Sequence, residues 1–455
     1  MTSPDTVRTS LSEEPPVDPW AKLLSSTSRI DRLIAKIDAL LAEQVDAILH
    51  HPAFQSLEAA WRGLKFVIDR TDFAENIQVH LWSCSKEELR ADLEESTDRT
   101  KSRFFRAVYT EEYGQHGGTP YAAIFADFSL ASSPDDPAIL VRDVALLRGM
   151  ASVGAMAHAP VFLGAAPELF GVMCFDELAA MTDLPVIFEA SKFHGWNAFR
   201  DTEDARYIGL LLPRMLLRLP YRDAEEAAAF VYDERVEHPS DHLWGSAIYA
   251  FAVRLAKSHA RVRTAMALVG AAGDEPPVRD WHPAMNADAC KPPVDIVLSP
   301  RLEASLSALG FIPLTCDAVD ATLRFQTASS LQRPKAFSEE QATLDYFLGG
   351  QIPYLLFVSR FAHFIKVMAR EQLGGHHTPE ELQSTMTNWL HRYVNRADNP
   401  SMEMRFRYPL RGALVEVAEV EGQAGWFATN LFIVPHMRFK AAEFELSVSG
   451  RIERR

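Results

Sequence analysis

The chain has 455 residues and a formal net charge of −15 at pH 7, and 47% of its residues are hydrophobic. This length and composition are typical of a globular protein with two or three folding units and a sizeable core. The acidic balance argues against a protein that neutralises phosphate backbones, because such proteins concentrate lysine and arginine. Nucleic acid is therefore not an expected partner.

The first residues have neither the basic region nor the apolar core of a secretory signal. The longest apolar stretches, such as residues 141–166, are interrupted by charged residues, so no membrane insertion is expected. We therefore expect a cytoplasmic protein. The cysteines are far apart and lack metal-ligand spacing, which favours buried reduced thiols. They are Cys84, Cys174, Cys290 and Cys316.

The first part of the chain is predicted to be helical after a short arm. Residues 1–27 are rich in Ser, Thr, Pro and acidic residues, which predicts a flexible N-terminal arm. Ser28 is predicted to start an amphipathic helix that continues to Leu49. Pro52 suits the first turn of a second helix, so residues 28–72 are predicted to form a helical hairpin.

Residues 73–270 are predicted to form an α/β body. Helices are expected at 86–95 and 136–157. Alternating apolar residues and short apolar runs indicate three strands, at 77–82, 121–128 and 160–164. The order of the last two strands around the second helix indicates a βαβ unit.

The remainder of the chain contains a loop, a second α/β part and a β-rich end. Residues 271–293 hold several Gly and Pro without periodicity, which predicts a loop. Residues 294–400 are predicted to include a long helix at 353–370. Residues 401–455 are predicted to form a C-terminal β-meander, with strands at 413–420, 426–434 and 443–449. The expected fold class is mixed α/β (α+β).

No local motif of enzyme chemistry is present in the sequence. It lacks a phosphate-binding loop, a dinucleotide fingerprint, a zinc-binding HExxH helix and a GxSxG nucleophile elbow. These absences weaken the case for catalysis without excluding it. The histidine pairs at 50–51 and 376–377 are assigned to helix ends or turns, because adjacent histidines on a helix point in different directions. No cofactor or metal is expected.

Charged residues are dense between positions 200 and 218. The set comprises Arg200, Glu203, Asp204, Arg206, Arg214 and Arg218. Interleaved carboxylates favour structural ion pairs over recognition of phosphate. Glu203 and Asp204 should stay ionised beside the arginines and are therefore poor proton donors.

A polar stripe is predicted on the helix at 353–370. His363, Lys366 and Arg370 share one face of it by their spacing. We expect this face to be solvated or paired within the chain. The alternative is contact with an acidic partner subunit.

Several blocks of sequence resemble one family when taken in order. They are ILHHPAFQSLEAAWRGL at 48–64, RDTEDARYIGL at 200–210, LGFIPL at 309–314, SSLQRPK at 329–335 and SRFAHFIKVMAR at 359–370. Together they resemble the TssC/VipB family, the large subunit of the type VI secretion contractile sheath.

The resemblance implies a structural protein of the bacterial cytoplasm with no enzymatic activity. It implies assembly with a small sheath subunit (TssB/VipA) and with other copies of itself in a helical sheath. The sheath surrounds an inner tube of Hcp, joins a baseplate and contracts to propel the tube. A ClpV-type ATPase is an indirect partner.

In this family the N-terminal arm and C-terminal strands link the sheets of adjacent subunits. The resemblance therefore predicts intersubunit roles for Leu414, Val415, Glu416, Val417, Phe427, Leu431, Ile433, Phe444, Leu446 and Val448. An ordinary closed intramolecular sheet is the alternative. The charged residues between 200 and 218 are also candidates for interfaces.

Three other functions remain open from the sequence. A phage-tail-like sheath would use a single sheath protein and need no small partner. A baseplate-associated paralogue would never form long tubes. An enzyme would have its active site near Arg200, Glu203 and Asp204.

Overall fold

The computed structural model describes most of the chain from residue 19 to residue 453. The described ranges are 19–96, 98–115, 117–131, 136, 138–181, 183–221, 232–270, 293–317, 322–372, 378–397, 400–419, 426–436 and 446–453. The predicted loop at 271–293 lies outside them except for its last residue. The chain divides into two compact units, Met1–Leu57 with Leu219–His242, and Glu58–Arg218 with Leu243–Arg455.

The first unit is dominated by one long helix, α1, at Pro19–Leu49. It begins nine residues before the predicted start at Ser28, because proline is compatible with a first helical turn and no later residue interrupts the helix. The predicted arm is therefore too long at its C-terminal end, and residues 1–18 lie outside the described chain. The Tyr232 hydroxyl donates to Asp46 at 2.5 Å, and the His50 ring lies 3.1 Å from a Glu234 carboxylate oxygen. These contacts fix the C-terminal end of α1 to the segment that contains Tyr232 and Glu234.

The second helix, α2 at Pro52–Arg70, begins in the first unit and continues in the second. Its start at Pro52 agrees with the sequence prediction, and the hairpin of α1 and α2 stays a prediction. The remaining helices of six or more residues are α3 Lys86–Glu95, α4 Ala138–Ala157, α5 His194–Arg200, α6 Ile248–Val262, α7 Pro300–Ala308, α8 Glu340–Gly349, α9 Ile352–Gln372, α10 Pro379–His391 and α11 Met402–Arg407.

A five-stranded sheet forms the centre of the second unit. Its strands lie in the order β1 (Ile124–Leu130), β2 (Val161–Ala165), β3 (Ile208–Leu212), β6 (Phe311–Cys316) and β7 (Leu323–Phe325). The first four strands are parallel and β7 is antiparallel to β6. Helix α4 connects β1 to β2, which confirms the predicted βαβ unit. Two short strands between β3 and β6 in the chain, β4 Met215–Leu216 and β5 Trp244–Gly245, pair with each other in a separate antiparallel sheet.

The helix after the first predicted strand was predicted correctly, whereas the strand itself was not. Helix α3 has the predicted bounds, because Ser85 and Glu88 form a reciprocal capping box at its start. The predicted strand at 77–82 is wrong: these residues form no regular secondary structure and pair with no strand in the described chain. Leu81 is 70% exposed, so the alternating pattern there does not correspond to a buried sheet face.

Apolar side chains cover both faces of the five-stranded sheet, as expected for parallel strands. One core packs α4 and the segment around Trp196 against β2 and β3. The other packs α6 against the opposite face through Phe251 and Phe162. Of the cysteines, only Cys316 is buried among those described, while Cys84 and Cys174 are partly exposed free thiols. The expectation that they are buried was therefore wrong for the latter two.

The C-terminal part is a three-stranded antiparallel meander packed on helices, as the sequence predicted. Its strands are β8 Leu410–Glu419, β9 Trp426–Pro435 and β10 Leu446–Glu453. They lie in the order β10-β9-β8. Residues of α9, α10, β8 and β9 share one core. The fold class is the predicted mixture of α and β.

The polar stripe of α9 faces inward and is paired within the chain, which is one of the two arrangements expected from the sequence. His363 is 3% exposed and donates through Nε2 to the Ala157 carbonyl oxygen at 3.0 Å. The Lys366 ammonium donates to the Met156 carbonyl oxygen at 2.9 Å, and Arg370 donates to the Glu112 carbonyl oxygen at 2.9 Å. Lys366 and His363 therefore satisfy carbonyl groups at the end of α4 that have no partner within that helix.

Helix α9 also corrects the expectation that no stretch is apolar enough to cross a membrane. Within the described residues, Ile352–Glu371 passes that test of length and composition. However, 72% of its most apolar window is buried inside the fold. This burial is typical of a core helix.

Candidate assembly surfaces

The C-terminal sheet has one covered face and one open face. Val415, Leu431 and Ile433 are at most 2% exposed and lie in the core formed with α9 and α10. Strand pairing places Val415 opposite Leu431. Leu414 is 46% exposed, and Glu416 is exposed on the same face because neighbouring residues alternate across a strand. Of these five residues, only Leu414 and Glu416 are exposed enough to contact another chain.

The other predicted intersubunit residues are less completely defined. Val417 is partly buried on the covered face. Phe427 lies in β9, and Leu446 and Val448 lie in β10, by their backbone positions alone. Phe444 lies outside the described residues. Strands β8 and β10 are the edges of the sheet. On β8, Leu410 already pairs with the segment around Val394, and the Val417 backbone N–H donates to Gln383 Oε1 at 3.2 Å. Only the remaining outer backbone groups are candidate sites for an added strand.

The charged residues predicted as one cluster are dispersed. Arg206 Nη2 lies 2.7 Å from a Glu203 carboxylate oxygen three residues earlier, and Asp204 is exposed at the start of the same turn. Arg200 is 4% exposed and donates through Nε to the Leu331 carbonyl oxygen at 3.0 Å. The structure therefore separates Arg200 from the Glu203 and Arg206 pair.

The remaining two arginines pair with residues far away in the sequence. Arg214 lies 2.8 Å from Asp295, and Arg218 lies 2.9 Å from Glu58. The second pair is nearly buried, with Arg218 and Glu58 side chains 7% and 12% exposed. A buried pair that loses one partner leaves an uncompensated charge, so this contact constrains how α2 packs within the second unit.

An apolar stripe on α1 was recognised in the sequence but not proposed as a site. Its side chains recur at helical spacing, and each is 42–57% exposed. They are Ile30, Leu33, Ile34, Ile37, Leu40, Leu41 and Ile48. The described residues leave this face uncovered, although an amphipathic helix in water is normally stabilised by packing of its apolar face. We call these seven residues the α1 stripe.

The histidines at the end of α1 have local roles. His51 accepts a hydrogen bond from the Ala53 backbone N–H at 3.3 Å, and His50 contacts Glu234 as described above. The pair at 376–377 lies outside the described residues. Within the described chain, no group of three or more His, Cys, Asp or Glu side chains is placed to hold a metal ion.

Two family models together match most of the chain. Residues 31–332 match "EvpB/VC_A0108, tail sheath N-terminal domain", and residues 341–452 match "EvpB/VC_A0108, tail sheath gpW/gp25-like domain". The second match spans α8 to β10 and therefore includes the C-terminal sheet and its helices. The fold and these matches define a tail sheath protein.

A curated relative agrees with the family models. The type VI secretion system sheath protein TssC1 of Pseudomonas aeruginosa PAO1 is 34% identical over 433 residues, which cover 93% of this chain and 86% of the relative. The chain therefore belongs to the TssC/VipB family of type VI secretion sheath proteins. The predicted role as its large sheath subunit is confirmed, and the phage-tail-like and baseplate alternatives are not favoured.

A solved structure gives only a weak likeness. The cryo-EM structure of the anti-feeding prophage baseplate, 6-fold symmetrised, matches with a TM-score of 0.34 and 7% identity. The match covers 70% of this chain and 63% of that chain. At this TM-score the likeness supports neither a shared fold nor a shared function.

Proposed function

We propose that this large subunit co-assembles with a small sheath subunit around an inner tube and contracts to propel that tube. The α1 stripe is the observation that carries the proposal. Seven large apolar side chains on one helix are 42–57% exposed, so burying the exposed part of each in an interface would contribute about 1 kcal/mol before binding costs. We propose that an amphipathic helix of the small subunit covers this face.

The C-terminal sheet supplies a second kind of contact. Its edge strands, β8 and β10, can add a strand from another copy of the chain through backbone hydrogen bonds. The open face with Leu414 and Glu416 would contact the added segment or its neighbours. Such links tolerate rotation of the subunit bodies, which contraction requires.

Contraction needs no bond-making by this chain in our account. The work comes from the difference in free energy between two packings of the same subunits. We therefore propose a non-enzymatic role in the bacterial cytoplasm, beside the Hcp inner tube and the baseplate. A ClpV-type ATPase would act on the contracted sheath.

Coexpression with the small sheath subunit tests the proposal. We expect a soluble complex and tubules in electron micrographs. Tubules formed by this chain alone, or a chain that stays monomeric beside the small subunit, would contradict the proposal. Glu203→Gln provides the control for catalysis, because loss of a turnover reaction with assembly intact would indicate an enzyme.

A further inference from the structure

An open cavity of about 570 Å³ lies in the second unit beside α5 and α7. Its apolar wall includes Phe188 and Leu309, and its polar lining includes Asn197, Arg200 and Arg333. Glu189 is the one carboxylate of the lining. Two guanidinium groups and one carboxylate give the lining a net charge of about +1 if all three are ionised.

Arg200 is an unusual cation because it is buried and forms no direct ion pair in the described chain, where Asp201 is the nearby carboxylate that favours its charged form. Its residue exposure is 4%, and its Nε donates to the Leu331 carbonyl oxygen. Within the described chain, its two terminal nitrogens have no hydrogen-bond partner. Burial, with a contribution from nearby Arg333, lowers the pKa of Arg200 to about 10. A buried charge of this kind is stabilised by an opposite charge.

The backbone around Arg200 is shaped to hold the guanidinium. Gly310 follows α7 with a φ of 86°, in the left-handed region. A Cβ at this position would lie 2.9 Å from the Ser330 carbonyl oxygen and 3.3 Å from Arg200 Nη2. A side chain at Gly310 would therefore press on the terminal nitrogens of Arg200.

Arg333 is fixed beside Arg200 by its own contacts. Its backbone N–H donates to the Arg200 carbonyl oxygen at 2.9 Å, and its Nη2 donates to Asn197 Oδ1 at 2.7 Å. Its Nη1 lies 3.4 Å from an oxygen of Asp201, in a pair whose side chains are 42% and 46% exposed. Such an exposed pair is weak, so Arg333 can still attract a further anion.

We propose that this cavity receives a peptide segment of another copy of this chain, with a carboxylate bound by Arg200 and Arg333 and an apolar side chain against Phe188 and Leu309. Guanidinium groups bind carboxylates through paired hydrogen bonds, and the apolar wall distinguishes such a segment from a simple anion. Copies of this chain are rich in suitable groups, with 61 acidic against 46 basic residues. The inference rests on the proposed function, because a sheath subunit is surrounded by other chains.

The test uses the full chain and 3-phenylpropionate, which joins an apolar ring to a carboxylate. At about tenfold its Kd, the probe should raise the thermal midpoint by about 1–2 °C. The uncharged 3-phenylpropanamide and inorganic phosphate should raise it much less. Equal stabilisation by the amide, equal stabilisation by phosphate, or no effect of the probe would each overturn the proposal.

Substitutions in the cavity lining test whether the probe binds there. Arg333→Gln should weaken binding about tenfold, whereas Arg142→Gln, which alters another ion-paired arginine outside the cavity, should leave it unchanged. Glu189→Gln should strengthen binding, because it removes the opposing charge. Should Arg333→Gln fail to fold, the Glu189→Gln result decides, and unchanged or weaker binding there would contradict the proposal.

An assembly experiment separates this inference from the proposed function. In the presence of the small subunit, Arg333→Gln should give fewer or shorter tubules than Arg142→Gln. Wild-type length for Arg333→Gln would overturn the assigned partner while leaving the sheath role intact. Failure of the wild-type chain to assemble would instead contradict the proposed function. The probe experiment would still test carboxylate binding in the cavity, because it needs no assembly.

Discussion

The C-terminal sheet and the α1 stripe have similar amphipathic patterns but opposite surroundings. Val415, Leu431 and Ile433 are covered by α9 and α10 and are at most 2% exposed. Leu33 and Ile37 in the α1 stripe are 54% and 55% exposed. The comparison shows that periodicity indicates which face will be buried, while only the structure indicates whether the same chain buries it.

The largest difference should appear when a buried leucine is truncated. We expect Leu431→Ala to lower the local free energy of unfolding by about 2–4 kcal/mol, because it leaves a cavity between β9 and the helices. Hydrogen exchange of the β8 and β9 amides measures this change. Leu33→Ala is the matched variant in α1 and should change the stability of the isolated chain by less than about 0.5 kcal/mol. Similar losses in both variants would contradict the comparison.

The α1 stripe should matter for association instead. We expect Leu33→Asp with Ile37→Asp to weaken binding to the small sheath subunit about 100-fold, because charges would enter an apolar interface. Titration of the two purified subunits measures the Kd. The control is Lys36→Ala with Glu43→Ala on the same helix, which should change the Kd less than threefold. An unchanged Kd for the aspartate variant would assign the stripe no role in this interface.

Acid should affect the packed region more than α1. Burial lowers the pKa of His363 to about 3, and burial beside Lys366 and His363 also lowers the pKa of His158. The unfolded chain takes up protons below about pH 6.5 while these folded histidines stay neutral, so stability falls as pH decreases from that value. At pH 5 the cost from His363 alone is about 2 kcal/mol.

The pH dependence can be assigned with one variant. We expect His363→Gln to be less stable than wild type at pH 7 but to lose less stability between pH 7 and pH 5, as followed by the thermal midpoint. His391→Gln, at the end of α10, serves as the control. An unchanged slope in His363→Gln would show that this histidine does not control the acid response.

The smallest effect concerns the open face of the sheet. We expect Leu414→Ala to change stability by less than about 0.5 kcal/mol, because its side chain is 46% exposed. If this face contacts a neighbouring copy, the same variant should shorten tubules formed with the small subunit. Tubules of normal length would indicate that the sheet contributes to assembly through the backbone groups of its edge strands and not through the Leu414 side chain.

Local and periodic signals carried most of the correct predictions. The helix predicted at 86–95 was confirmed as α3, and alternating apolar residues located β8 and β9. The strand predicted at 77–82 failed because a strand also needs a neighbouring strand, which local alternation does not reveal. The ion pair between Arg218 and Glu58 joins residues 160 positions apart, so no spacing rule predicts it.

The sequence left two arrangements open for the polar face of α9, a solvated face or one paired within the chain. Charged side chains are expected to face solvent unless the fold gives them a buried hydrogen-bond partner. For His363 and Lys366 these partners are carbonyl groups at the end of α4. A sequence gives no sign of which helix end lies beside another helix. The candidate surfaces were likewise only partly predictable: the α1 stripe was visible as a pattern, but its exposure was not.

Hydrogen exchange along α1 tests the central claim most directly. The amides of residues 29–48 would be compared in the isolated chain and in tubules formed with the small subunit. We expect rapid exchange in the isolated chain and at least 100-fold slower exchange in the tubules, because another chain covers the α1 stripe. Equal exchange in both states, with tubules present, would contradict the account.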